Sequence, residues 1–237
     1  MPANALSKNM SNIAIPHGER NKKLYKIPRN GIHGTATVSA AAGGIVCNAS
    51  SMVNWLQALL DDGVNAQNQQ IFTPKQLQNM WQSRTILPLS KEEAARNHGH
   101  FRTYGLAWRK NDFLGYELIS HTGTLSGMQA YVALIPELEL GVVILNNGDN
   151  SGARSAVMQT ILRSFIPDAE KKDWVADYQQ EREENRKKYL AKHKTPIGSG
   201  KVLLAEQAYT GTYMDIWFGN IIIRKTKQGL RVNSEKM

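Results

Sequence analysis

Three consecutive residues, His121-Thr122-Gly123, carry most of the chemistry this chain could do. An imidazole donates or accepts a hydrogen bond near neutral pH. A threonine adds a hydroxyl, and a glycine lets the backbone of a bound molecule approach a strand closely. Together they would form a cleft wall facing the acyl or carboxylate group of a substrate. Other groupings carry less. His98-Gly99-His100 spaces two imidazoles as a metal could use them, but no third histidine or carboxylate lies close in sequence, so no metal is expected. Ser126, His121 and Asp149 supply the residue types of a hydrolytic triad, yet no Gly-x-Ser-x-Gly elbow surrounds Ser126. Cys47 is the one cysteine, which excludes an internal disulfide and a multi-cysteine zinc site. Its apolar surroundings mark it as a small buried hydrophobe.

These residues need elements to hold them. Met128 to Ile135 and Leu140 to Asn146 read as strands joined by a short turn at Pro136 to Glu139. Both faces of the first are apolar, as in a sheet covered on both sides. Tyr104 to Arg109 and Leu114 to His121 read as two further strands, so that His121-Thr122-Gly123 closes a strand. Met52, Val53, Leu56, Leu59 and Leu60 recur at helical spacing after the capping residues Asn48, Ser50 and Ser51. Thr73-Pro74 opens a second helix that runs to Trp81. A third, from about Ala153 to Phe165, turns Val157, Ile161, Leu162 and Phe165 to one side and would lie across the sheet. Residues 1–38 and 84–101 read as irregular.

The chain has 237 residues, 41% of them hydrophobic, enough for a buried core. Charge is uneven. Residues 1–35 carry six basic side chains and one acidic; residues 36–166 carry nine of each sign; residues 167–237 carry fourteen basic and ten acidic. The region holding the candidate site is thus neutral. No basic helix with interleaved aromatics appears, so no nucleic-acid partner is expected. No run of apolar residues is long enough for a transmembrane span, and residues 1–20 lack the apolar stretch of a signal peptide. The segment 168–194 is densely charged and reads as a solvated helix, part of a connector over residues 168–200. Residues 201–237 return to strand-like alternation, with Tyr213, Trp217 and Phe218 as the core of a small β unit.

The order of these features resembles the class C β-lactamase and penicillin-binding-protein-like serine hydrolases. Gly43-Gly44 before a capped helix, Tyr104-Gly-Leu-Ala-Trp108, His121-Thr122-Gly123 and the paired strands from Gly127 to Asn146 match that family's sequence landmarks in order. Residues 205–232, with Tyr-x-Gly-x-Tyr and Trp-x-Gly, resemble a small β module attached to such hydrolases. The implied fold is α/β (α+β), an antiparallel sheet flanked by helices of the β-lactamase/transpeptidase type. It would be incomplete at its N-terminus over residues 1–167 and followed, over residues 201–237, by a partial β module.

The resemblance implies ester, amide or D-peptide hydrolysis through an acyl-enzyme, with no cofactor, acting on a small-molecule or peptide acyl substrate. His121 and Thr124 would be catalytic, Thr124 through the backbone N–H of an oxyanion hole. His121, Thr122 and Gly123 would line the substrate. A periplasmic or secreted location follows from the family alone. The family's nucleophile is a serine in Ser-x-x-Lys, where the amine takes the hydroxyl proton. No serine here has lysine three residues on, and no tyrosine has asparagine two residues on. Ser7-Lys8-Asn9 is a formal Ser-x-Asn in the leading stretch, read as chance. The chain is therefore expected to be the C-terminal portion of a longer hydrolase, inactive alone and open to an N-terminal partner segment. A histidine where many relatives have lysine lacks a fixed positive charge, which tilts the parent toward esterase or peptidase chemistry. The alternative is a non-catalytic binding or interaction module that retains the fold.

Overall fold

A computed structural model describes residues 12–20, 23–27, 40–125, 127–193, 204–217 and 219–234. In chain order the elements begin with the hairpin β1 (His17–Arg20) and β2 (Lys23–Lys26), followed by the short α1 (Ala40–Gly43), α2 (Ala49–Leu60) and α3 (Pro74–Trp81). Next come β3 (Thr85–Ile86), α4 (Lys91–Asn97), β4 (Arg102–Tyr104), β5 (Arg109–Phe113), β6 (Tyr116–Leu125), β7 (Met128–Ile135) and β8 (Leu140–Asn146). The chain continues through α5 (Ser151–Ser164), α6 (Trp174–Lys192), β9 (Gly211–Asp215), β10 (Gly219–Thr226) and β11 (Gly229–Ser234).

Local chemistry sets the helix starts. Asn48 caps α2 by accepting from Ser51 N at 2.9 Å. Thr73 caps α3 in a capping box with Gln76, with Pro74 in the first turn. Ser90 caps α4 by accepting from Glu93 N, and Asn150 caps α5 by accepting from Ala153 N. Helix α4 and strand β3 fall where the sequence reads as loop. Only a serine followed three residues later by glutamate marks α4, whose polar residues leave no apolar periodicity to detect.

Strands β3 to β8 form one antiparallel sheet in the order β3-β4-β5-β6-β7-β8. The strand expected at 104–109 is displaced. Gly105 to Trp108 is a turn, and the polar Arg109–Phe113 run is β5, which hairpins through Leu114 and Gly115, both at positive φ, into β6.

Side chains alternate along each strand, and the register divides the sheet into two faces. Ile119 pairs with Leu134 and His121 with Val132 on what we term the front; Ser120 pairs with Ala133 and Thr122 with Tyr131 on the back. On the front, Leu56 and Leu59 of α2 and Leu77 of α3 pack with Trp108, Ile119 and Leu134. Gly141 permits this approach, since a Cβ there would sit 3.2 Å from Leu56 Cβ. On the back, Met158 and Leu162 of α5 pack with Phe113, Leu118, Ala133, Ile135 and Val142. Each such fully buried apolar side chain contributes roughly 1.5–3 kcal/mol.

The charged segment after residue 168 does form a helix, but its first half is not simply solvated. Trp174 is 3% exposed and lies under the Arg163 guanidinium at 4.2 Å. Arg96 Nε donates to Asp177 at 3.1 Å. The chain divides into two compact units, Met1–Arg186 and Lys187–Met237. In the second, β11-β10-β9 form a three-stranded sheet. Tyr213 is half-exposed there and Trp217 is 84% exposed, so neither is the core residue expected. Phe218 lies outside the described residues. Among the described residues no helix is long and apolar enough to cross a membrane.

Candidate functional site

Strand β6 outruns its neighbour. Its pairing with β5 ends at Ser120↔Arg109, whereas its pairing with β7 continues to Leu125↔Met128. Residues 121–125 therefore pair on one side only, and their other backbone edge is free of strand partners among the described residues. A strand edge without a neighbouring strand, beside a glycine, is what a carbonyl or peptide group needs in order to bind along a strand. His121-Thr122-Gly123 thus lies within a strand that continues beyond it, rather than at a strand end.

The four residues expected at the site divide between the two faces. His121 is half-buried on the front. Its Nε2 lies 3.1 Å from Tyr104 Oη, and the two rings meet edge to face at 6.0 Å. Its pKa is lowered, first by burial and then by the Arg109 charge, against a hydrogen bond with the Thr122 main chain. The imidazole is accordingly neutral at neutral pH. Gly123 is exposed beside it, with open space over its front face apart from Ala130 Cβ at 3.9 Å. Thr122 points to the back, where its Oγ1 accepts from Arg109 Nη1 at 3.2 Å. Thr124 is exposed and pairs with Gln129; its side chain shares the back face with that of Thr122, so only its main chain could serve a substrate.

Two further residues hold this strand. Arg154, on the first turn of α5, donates from Nη1 to Gly123 O at 2.9 Å and to Ala130 O at 3.2 Å. It thereby ties β6 to β7 across the glycine. Tyr104 orients His121. Sequence reasoning placed Tyr104 only within a strand motif and did not single out Arg154, because nothing local marks an arginine as the partner of carbonyls 24 and 31 positions away.

The remaining candidates do not converge here. Asp149 Oδ2 accepts from Glu19 N at 3.1 Å, far from a triad role with His121. Ser126 and Ser7-Lys8-Asn9 lie outside the described residues. His98 terminates α4 in a left-handed conformation, and His100 Nδ1 lies 2.7 Å from Asp112 Oδ2. Among the described residues no group of three His, Cys, Asp or Glu side chains could hold a metal. Cys47 is exposed rather than buried; the apolar stretch around it precedes α2 instead of packing beneath the sheet.

The far end of the site strand is also fixed by a turn. Gly127 has φ +77°, and a Cβ there would lie 2.6 Å from His17 O. The β1–β2 hairpin closes over it, with His17 N donating to Asn147 O at 3.1 Å.

Comparison with known proteins bears on the family and the fold. The family described as "Beta-lactamase" matches residues 4–164. An unguisins hydrolase of Aspergillus campestris is 29% identical over 111 residues, which are 46% of this chain and 18% of that protein. An unguisins hydrolase of Aspergillus violaceofuscus is 24% identical over 151 residues, 59% of this chain and 26% of that protein. The fold is that of the octameric penicillin-binding protein homologue from Pyrococcus abyssi, with a TM-score of 0.58 at 16% identity over 96% of this chain and 42% of that one. The chain thus spans about a fifth to a quarter of the length of the curated relatives it matches.

Proposed function

The chain belongs to the beta-lactamase family, a serine-hydrolase-like family, and on that premise we propose that it forms the carbonyl-cradling wall of an acyl hydrolase without itself supplying the attacking group. The observation that supports this reading is the outer edge of residues 121–125, free of strand partners among the described residues, beside an imidazole held by Tyr104. In this role Gly123 lets the substrate backbone lie along β6. The Thr124 N–H receives the carbonyl oxygen as negative charge develops on it. Neutral His121 exchanges a hydrogen bond with the acyl or carboxylate group. The substrate is an ester, amide or D-peptide, and the hydrolase names of the two fungal relatives favour hydrolysis over a purely structural role.

Attack needs a serine hydroxyl and an amine to take its proton, and this sequence has no Ser-x-x-Lys. A separate segment bearing that couple would complete the site. Strand β8, last in the sheet order and rich in valine, isoleucine and leucine, offers it an edge to pair with. With nitrocefin or a p-nitrophenyl ester, the purified chain should give no turnover above a His121→Ala control and no labelling by a fluorophosphonate or fluorescent penicillin. Hydrolysis that persists in His121→Ala would reveal a nucleophile elsewhere and sink the proposal.

A further inference from the structure

Behind the His121 strand, on the face opposite its imidazole, lies a cavity of about 130 Å³. Arg102, Arg109, Ser120, Thr122 and Tyr131 line it from the sheet, and Gln159 from α5. A void of this size with polar walls has room for several waters or one small solute.

The charge around it is unbalanced. Glu93 is the one carboxylate among its described lining residues, and Arg102 Nη1 already holds it at 2.8 Å. Arg109 bonds to Thr122 Oγ1 and, among the described residues, has no carboxylate within ion-pair distance. Arg154, which adjoins the cavity lining without being part of it, likewise has no carboxylate within ion-pair distance among the described residues. It is 8% exposed, its Nη1 serves two carbonyls, and its Nε is buried with no hydrogen-bond partner among the described residues. The two cations are near enough to matter to each other: burial chiefly, and the Arg109 charge in smaller part, lower the Arg154 pKa. A guanidinium does not shed its proton to escape such a position. Arg109, partly buried at the cavity wall and without a carboxylate partner among the described residues, is a cation that a counter-ion in the cavity would relieve.

We infer that this cavity is a small-oxyanion site, in which a carboxylate or an inorganic phosphate seats on Arg109, with the Thr122 and Tyr131 hydroxyls as further donors. Thr122 Oγ1 accepts from Arg109 and keeps its own hydrogen to give. Tyr131 is a neutral donor at physiological pH, since burial raises its phenol to about 12. The site is distinct from the acyl wall, because Arg109 and Thr122 face the back of β6 and His121 the front. It is nonetheless joined to that wall, since Thr122 adjoins His121 and the Arg109 charge reaches the imidazole. An anion on Arg109 cancels part of that field, so occupancy at the back is reported at the front.

The experiment is an NMR titration of the full chain in low salt, with inorganic phosphate in one arm and acetate in the other. It follows the Ser120 and Thr122 amides and the His121 ring. Saturable shifts confined to the back of β6 are expected, with the His121 imidazole titrating at higher pH as the anion fills the site. Arg109→Gln and Thr122→Val should each weaken binding, Arg109→Gln by about tenfold or more, the scale of one lost charge-assisted bond. Arg109→Lys, which keeps the charge, should retain part of it. Saturation by phosphate alone identifies a phosphate site; saturation by acetate alone identifies the carboxylate of an organic molecule. Linear, non-saturating shifts in both arms overturn the inference, as does equal affinity in a folded Arg109→Gln. Should Arg109→Gln fail to fold, unchanged affinity in Thr122→Val overturns it instead.

Discussion

The two faces of β6 make opposite use of one stretch of sequence. On the front, His121 and Gly123 are open or half-open and, among the described residues, lie beside Tyr104 and Ala130. On the back, Ser120 and Thr122 look into a cavity whose walls include Phe113, Leu118, Met158 and Leu162 of the core held by α5. The difference follows from the two-residue period of a strand. Every residue offered to a substrate is flanked by neighbours anchored on the far side, so the wall is positioned without being covered. Arg154 joins the two, reaching from the back to the carbonyls of Gly123 and Ala130.

This contrast can be broken from the back and sharpened from the front. The largest effect should come from Phe113→Ala, which empties a fully buried site of the back core. A loss of about 3–5 kcal/mol in denaturant unfolding is expected. Arg154→Leu should cost about 2 kcal/mol by removing a charged donor from two carbonyls, and should speed amide hydrogen exchange in residues 121–125. If that exchange is unchanged, Arg154 does not hold the strand. Tyr104→Phe, on the front, should cost no more than about 1 kcal/mol while altering the His121 ring signals. A front-face change as costly as Phe113→Ala would erase the distinction between the faces.

The smallest effect is a pH dependence. Folding lowers the His121 pKa from its ordinary 6.5, so below that value the unfolded chain binds more protons than the folded one. Stability should therefore fall as pH drops from about 6.5 through the lower folded pKa. His121→Gln should flatten that part of the profile. Arg109→Gln should raise the His121 titration midpoint, since it removes a repelling charge while leaving burial in place.

Much of the frame is legible in the residues themselves. The apolar runs at Met128–Ile135 and Leu140–Asn146, the asparagine cap of α2 and the Thr73-Pro74 start of α3 are local signals, and each marks an element that forms. Strand β5 and helix α4 are not legible, because Arg-Lys-Asn-Asp and Lys-Glu-Glu carry no apolar period. The solvated reading of the first turns of α6 misses Trp174 and Tyr178, whose burial depends on Arg163 and Arg96 from other helices. At the site, the residue types at 121–124 are readable. Their division between faces is not, since which way a threonine points depends on the register with β7.

The sequence by itself determined the family landmarks, the paired strands and the want of a Ser-x-x-Lys couple, because each is a matter of residue type and short spacing. Only the tertiary structure decided that Thr122 turns away from His121, that β6 runs past the end of its pairing with β5, and that Arg109 and Arg154 come near each other behind it with no carboxylate in ion-pair distance of either among the described residues. Those outcomes depend on contacts between residues distant along the chain, and the free energy of such contacts is not written in any one segment.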